Sequence, residues 1–258
     1  DLLNNGSVIM RQGFDGPLIT YTWSQASTYS YGISIRVPTS PTTGSFPVAI
    51  ILHGAGGNSA ATINDWDTYL PNHILIAPQG FSNVWNIIDE SDAPDFQFLS
   101  DLMVQLEKYR NVRKVNGTAE ISMIGISNGA AMALRMGVEY AGSQLRYVAG
   151  LISQLHDQQY RSGAVPPGWY KPSDHENTDG TAPNKGYDTA FTPYGVIDRT
   201  PVAKGRYYLQ INGQNDNVIP YEGGGGPGSA SFYSADDSLY YLAAYQQMHP
   251  DPKQNTFQ

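Results

Sequence analysis

Apolar residues in this chain fall into short runs divided by clusters of Gly, Pro, Asn and Asp. The length and period of each run separate strands from helices. In the first third, VIMRQ (8–12), LITYTW (18–23) and YGISIRV (31–37) carry β-branched and aromatic residues and predict strands. FPVAIILHGAGGN (46–58) is a continuous apolar run that stops at His53-Gly54, and NHILIAPQG (72–80) repeats the pattern. Runs without polar alternation are what strands buried on both faces of a parallel sheet require. AEISMIG (119–125) is a third, and RYVAGLIS (146–153) and GRYYLQING (205–213) add two more. DFQFLSDLMVQLEKY (95–109) places Phe98, Leu102, Val104 and Leu106 at mixed three-to-four spacing, which predicts a helix. NGAAMALRMGVEYA (128–141) is a second helix, rich in Ala, Met and Leu. SADDSLYYLAAYQQM (234–248) is a third, with Ser234 as N-cap and acidic residues in its first turn.

Strands alternating with helices predict an α/β fold: a mostly parallel central sheet flanked by helices. The rhythm fails over 154–203, a stretch dense in Pro, Gly, Asp, Asn and Tyr. It reads as a long insertion over one end of the sheet, a length of loop often used as a functional lid. No linker or charge block divides the 258 residues, 40% of them hydrophobic, so a single domain over 1–258 is expected. A net charge of -8 without clustered Lys or Arg argues against nucleic-acid and anionic-membrane partners. The absence of cysteine excludes thiolate catalysis, Cys-ligated zinc and disulfides. No apolar run approaches the ~20 residues of a transmembrane helix. A start at Asp1 fits a processed, secreted protein or a trimmed chain, and secretion is the expectation carried forward. SDHENTDG (173–180) lacks the regular spacing of a calcium loop and reads as a solvated loop, so no metal is expected.

Gly125-Ile126-Ser127-Asn128-Gly129 lies between a predicted buried strand and a predicted helix. A tight turn there lifts a serine Oγ out of the sheet, and the flanking glycines let strand and helix approach. Alone the G-x-S-x-G spacing is weak; an ordinary glycine-rich turn would share it. Its context is stronger. HGAGGN (53–58) follows an earlier strand and can offer a backbone N–H to an oxyanion, from Ala55 or Gly56. The second N–H comes from the residue after the nucleophile, Asn128. His53 precedes the elbow and reads as a loop-orienting residue. The triad order Ser, acid, His requires a carboxylate after a later strand, and Asp216 in YYLQINGQNDNVIPY meets it better than Asp198.

LHGAGGN, W…DFQF, GISNGAAMA and GQNDNVIPYEGG together resemble the polyhydroxybutyrate depolymerase and feruloyl/acetylxylan esterase group of α/β-hydrolases. The resemblance covers roughly residues 30–150 and 204–248. It implies an α/β-hydrolase fold, Ser127 as nucleophile, Asp216 as triad acid and no cofactor. It also suggests Trp85 as a substrate-binding wall, with a core tryptophan as the alternative. The expected activity is that of a secreted serine carboxyl-ester hydrolase acting on a polyester or a plant-polysaccharide ester.

The base is the open question. Of His53, His73, His156, His175 and His249, only His249 follows Asp216, at the end of a predicted helix and before Pro250. The family's base lies on a loop after one further strand, and no such strand follows here. Three readings stand: a C-terminal strand and histidine beyond Gln258; His249 or an insertion histidine in an unusual arrangement; or a pseudo-enzyme. A polysaccharide- or polymer-binding protein on a hydrolase scaffold is the rival from another class, supported by the Tyr-rich insertion.

Overall fold

A computed structural model describes residues 10, 19–23, 26–39, 44–87, 93–155, 159–161, 168–169, 205–227 and 231–245. The strand expected over 8–12, apart from Met10, and most of the insertion lie outside them. So do His156, His175, Asp198, the 173–180 loop and His249.

Eight strands carry the architecture: β1 Thr20–Trp23, β2 Ala26–Ser30, β3 Ile33–Arg36, β4 Val48–Leu52, β5 Ile74–Pro78, β6 Ile121–Ile126, β7 Leu145–Leu151 and β8 Tyr207–Ile211. The helices are α1 Ser59–Trp66, α2 Asp95–Leu106, α3 Asn128–Glu139 and α4 Ala235–Tyr245. β3 to β8 form one sheet in the order β8-β7-β6-β4-β5-β3, and β1 and β2 pair as a separate hairpin. Every pairing in the large sheet is parallel except that of β3 with β5. The chain thus has the expected α/β architecture, a mostly parallel central sheet with helices on both faces.

The continuous apolar runs take the central positions. All five residues of β4 and all five of β5 are buried. Alternate residues of β4 feed two cores: Val48, Ile50 and Leu52 pack with the α2 and α3 side chains, whereas Ala49 and Ile51 pack against Ile63 and Trp66 of α1. In α2 the buried stripe is Phe98, Leu99, Leu102, Met103 and Leu106. Val104, expected on that stripe, is 49% exposed, because a residue one position beyond Met103 turns away from the sheet. Ser234 caps α4 as expected, its Oγ accepting the Asp237 N–H at 3.0 Å.

Two elements are absent from the sequence reading. α1 (SAATINDW) has only Ile63 and Trp66 as large apolar residues; its signal is Asn58, whose Oδ1 accepts the Ala61 N–H at 2.9 Å. β2 (ASTYS) has little apolar alternation and is a strand by pairing with β1. Arg206, 2% exposed, closes the fold just before β8. Its guanidinium donates to the carbonyls of Gly137, Tyr140, Gly142 and Leu145, satisfying the C-terminal end of α3 and the entry to β7.

Candidate active site

Because β4 to β8 run parallel, their carboxyl ends lie at one edge of the sheet, where ligands bind in open α/β sheets. β4 leads there into residues 53–57, β5 into 79–85, β6 into Ser127, β7 into Ile152 and β8 into the turn that carries Asp216. His73 directly precedes β5 and lies at the opposite end, roughly 17 Å away for a strand of that length. It is no partner for Ser127.

Ser127 joins β6 to α3 with φ 53 and ψ -119, a strained conformation for a residue with a side chain. The two glycines make this turn possible. A Cβ on Gly125 would lie 2.0 Å from the Gly129 carbonyl oxygen, and one on Gly129 would lie 2.4 and 2.5 Å from the Leu52 and His53 oxygens. The Ser127 N–H donates to the Leu151 carbonyl at 2.9 Å, fixing the elbow to β7. Asn128 opens α3, so its own N–H belongs to a first turn that has no intrahelical acceptor.

The loop after β4 lies against this elbow: a Cβ on Gly54 would stand 3.5 Å from the Ser127 Cβ. Within it the Gly56 N–H donates to the Asn83 carbonyl at 2.8 Å, and the Gly57 N–H to Gly54 at 3.0 Å. Of the two N–H groups expected from this loop to face an oxyanion, those of Ala55 and Gly56, that of Gly56 is engaged by the Asn83 carbonyl.

His53 is 2% exposed and orients the loop. Its Nε2 accepts the Gly80 N–H at 3.0 Å, which places the ring proton on Nδ1, donated to the Gly54 carbonyl at 2.8 Å. Burial holds its pKa below the ordinary histidine value, so the ring is neutral. With both nitrogens engaged it has no capacity left as a base.

Trp85, expected as a substrate wall or a core residue, has no exposed surface and is a core residue. It cannot present a face to substrate. Its indole N–H donates to the His53 carbonyl at 3.0 Å. Its backbone is gripped by the Asn128 side chain, whose Oδ1 accepts the Trp85 N–H at 2.6 Å and whose Nδ2 donates to the Trp85 carbonyl at 3.2 Å.

Asp216 sits in the turn after β8. Its Oδ1 accepts the Ile219 N–H at 3.0 Å and the Val218 N–H at 2.7 Å, and these two bonds hold its pKa below the usual carboxylate value. An ionised acid is what orientation of a histidine requires. The structure places the loop after β4 against Ser127 through Gly54, and Asp216 two strands away at the same edge of the sheet.

Several contributors escaped sequence reading. Gln79 links the parts: its Oε1 accepts the Ser59 N–H at 2.9 Å and its Nε2 donates to Asn83 Oδ1 at 3.0 Å. Ile152, one residue beyond the carbonyl that accepts the Ser127 N–H, has φ 60 and is 45% exposed, a strained backbone for a β-branched residue. Asp95 is fully buried at the start of α2; it accepts the Tyr31 hydroxyl at 2.6 Å and the Asn86 N–H at 2.6 Å. Burial pushes its pKa up to about 7 against the opposing pull of these bonds and of Arg135.

No family model and no curated protein matches this chain. Among solved structures it is similar to the LpqC poly(3-hydroxybutyrate) depolymerase from Bordetella parapertussis, at 14% identity and a TM-score of 0.38, over 47% of this chain and 46% of that one. It is similar also to a thermostable esterase, at 16% identity and a TM-score of 0.39, over 55% and 42%. For the S-formylglutathione hydrolase from Staphylococcus aureus the values are 11% and 0.37, over 52% and 55%. The chain thus spans about half the length of these structures.

Proposed function

We propose that this protein is a serine carboxyl-ester hydrolase that works through an acyl-enzyme on Ser127. The observation that carries the proposal is the strained elbow at Ser127 with the 54–56 loop against it. A nucleophile needs an exposed Oγ, and its tetrahedral intermediate needs amide donors at fixed positions beside it. In this reading Ser127 Oγ attacks the ester carbonyl, and the Asn128 and Ala55 N–H groups stabilise the developing oxyanion. Asp216 orients the histidine that takes the Ser127 proton and returns it to the leaving alcohol. His53 and His73 are excluded from that role by their contacts and position. The base comes from His156, His175, His249 or a histidine outside this sequence.

The substrate class follows from the family resemblance: a polyester, or a feruloyl or acetyl ester of a plant polysaccharide, met outside the cell. A fluorophosphonate probe on the full-length protein tests the chemistry. It should label Ser127, and Ser127→Ala should abolish both labelling and hydrolysis across acetyl, feruloyl and 3-hydroxybutyryl esters. Absence of labelling at Ser127, or hydrolysis unchanged in Ser127→Ala, refutes the proposal. Polysaccharide binding that survives Ser127→Ala without hydrolysis would instead support a binding protein.

A further inference from the structure

The residue after the nucleophile contributes more than a backbone amide. We infer that the side chain of Asn128 is a positioning residue that locks the segment 79–85 to the elbow and, through it, sets the place of the 54–56 loop beside Ser127. The structure contains a closed circuit of contacts. Asn128 holds both the N–H and the carbonyl of Trp85, at 2.6 and 3.2 Å. The Trp85 indole N–H holds the His53 carbonyl at 3.0 Å. The His53 ring joins the Gly80 N–H to the Gly54 carbonyl, at 3.0 and 2.8 Å. The Asn83 carbonyl takes the Gly56 N–H at 2.8 Å. The segment therefore touches the elbow at one end and the loop at the other.

The residue type is decided by chemistry. Gripping an N–H and a carbonyl of the same residue takes a side chain with one acceptor and one donor side by side, which an amide has. A carboxylate, with acceptors only, would face the Trp85 carbonyl with a negative charge, and an apolar side chain would leave both groups unpaired in a buried place. The segment also carries its own strain. Ser82 and Asn83 have φ 53 and φ 63, conformations that persist only where the surroundings enforce them. Asn128 and His53 grip that segment from the elbow and loop side, alongside the Gly56 N–H on the Asn83 carbonyl and the Ser59 N–H on Gln79.

The clamp stands on this geometry alone, while its catalytic consequence rests on the reading of Ser127 as nucleophile. The test therefore has two arms. In the first, amide hydrogen exchange of the full-length protein is compared with that of Asn128→Ala. Exchange at Trp85, Gly80 and Gly56 should quicken by at least about tenfold, while the β4 and β6 amides keep their protection. Unchanged exchange at Gly80 and Gly56 overturns the inference, whether or not the protein hydrolyses esters. Trp85→Phe cuts the circuit at its next link: Gly80 and Gly56 should loosen while the residue-85 amide, still held by Asn128, stays protected. If Asn128→Ala does not fold, this variant decides alone.

In the second arm, on an ester that the wild type hydrolyses, Asn128→Ala should lower kcat by about 10- to 100-fold with KM changed less than about twofold, because the donors are displaced only where the oxyanion forms. The double variant with Trp85→Phe should fall no further than the larger single effect. A kcat per folded enzyme equal to that of the wild type refutes the positioning role. A wild type inert on every ester removes the proposed function and leaves the clamp to be judged by exchange.

Discussion

Substitution of Gly129 by alanine tests the tightest contact in the site. The added Cβ would lie 2.4 Å from the Leu52 carbonyl oxygen and 2.5 Å from that of His53. Both are backbone atoms, one at the end of a fully buried strand and one in the loop beside Ser127, so no side chain can rotate aside. Overpacking of this kind costs about 1–3 kcal/mol, and a clash between two main chains belongs at the upper end. The gain in helix propensity from Gly to Ala offsets up to about 1 kcal/mol. A net loss of about 2 kcal/mol should lower Tm by roughly 4–8 °C for a chain of this size.

Gly150→Ala is the matched control. It lies in β7 opposite Gly125, and the atoms nearest its Cβ would be Leu134 side-chain atoms at 3.5 and 3.6 Å, an ordinary contact. Its stability should change by less than about 1 kcal/mol. Urea unfolding of both variants, with the rate of fluorophosphonate labelling, makes the comparison. Gly129→Ala should be the less stable and should label at least about tenfold more slowly, since the 53–57 loop moves away from Ser127. Equal stability of the two variants, or undiminished labelling in Gly129→Ala, would refute the close approach on which the site depends.

Other outcomes follow from the same structure. Asp95 has a folded-state pKa of about 7, raised from 3.8 by burial, so the folded protein holds a proton that the unfolded chain releases. Its contribution is therefore full below about pH 4 and is lost as pH rises to about 7, a fall on the order of 4 kcal/mol. In urea titrations from pH 4.5 to 7.5 Asp95→Asn should lack that fall, and an identical slope in both proteins would exclude Asp95 as its source. If Asp216 is the acid of the proposed mechanism, Asp216→Asn should lower kcat by about 10²–10⁴-fold, because the side chain would no longer hold the base as a carboxylate does. Tm should fall only slightly, since an Asn Oδ1 still accepts the Val218 and Ile219 N–H groups; a large loss of Tm with normal turnover would make Asp216 a structural residue. Arg206→Lys should destabilise by about 2–4 kcal/mol in urea, because an ammonium cannot reach the four carbonyls that the guanidinium serves. A change below about 0.5 kcal/mol would show those contacts to be dispensable.

What could be read from the sequence was local. β4, β5 and β6 announce themselves because a strand buried in a parallel sheet has apolar side chains on both faces or small residues where a helix approaches. The elbow is legible for the same reason: Gly125 and Gly129 sit within four residues of each other, and the clash each avoids is set by that short turn. The parts that escaped are those defined by long-range partners. Asn128 grips a backbone 43 residues away, and nothing near it in sequence signals this. Trp85 could be a wall or a core residue until its burial was seen, since an indole suits either place. Val104 shares the apolar character of its neighbours in α2 yet faces solvent, because periodicity gives a face only to within one position. Gly56 and Ala55 are equal donors in the sequence, and only the Asn83 carbonyl separates them. Asp216 could be nominated because triad order and the turn after a strand are both visible along the chain, and the structure puts it in the turn after β8.

The central claim is that Ser127 forms a covalent ester with the acyl half of its substrate. Acid quenching of the full-length protein during hydrolysis of a slow ester, followed by mass analysis of the peptide that carries Ser127, measures this directly. The account predicts a mass increase equal to the acyl group on Ser127, absent in Ser127→Ala and lost when the ester is exhausted. Sustained hydrolysis with Ser127 unmodified at every time point, or the acyl group on another residue, would contradict it.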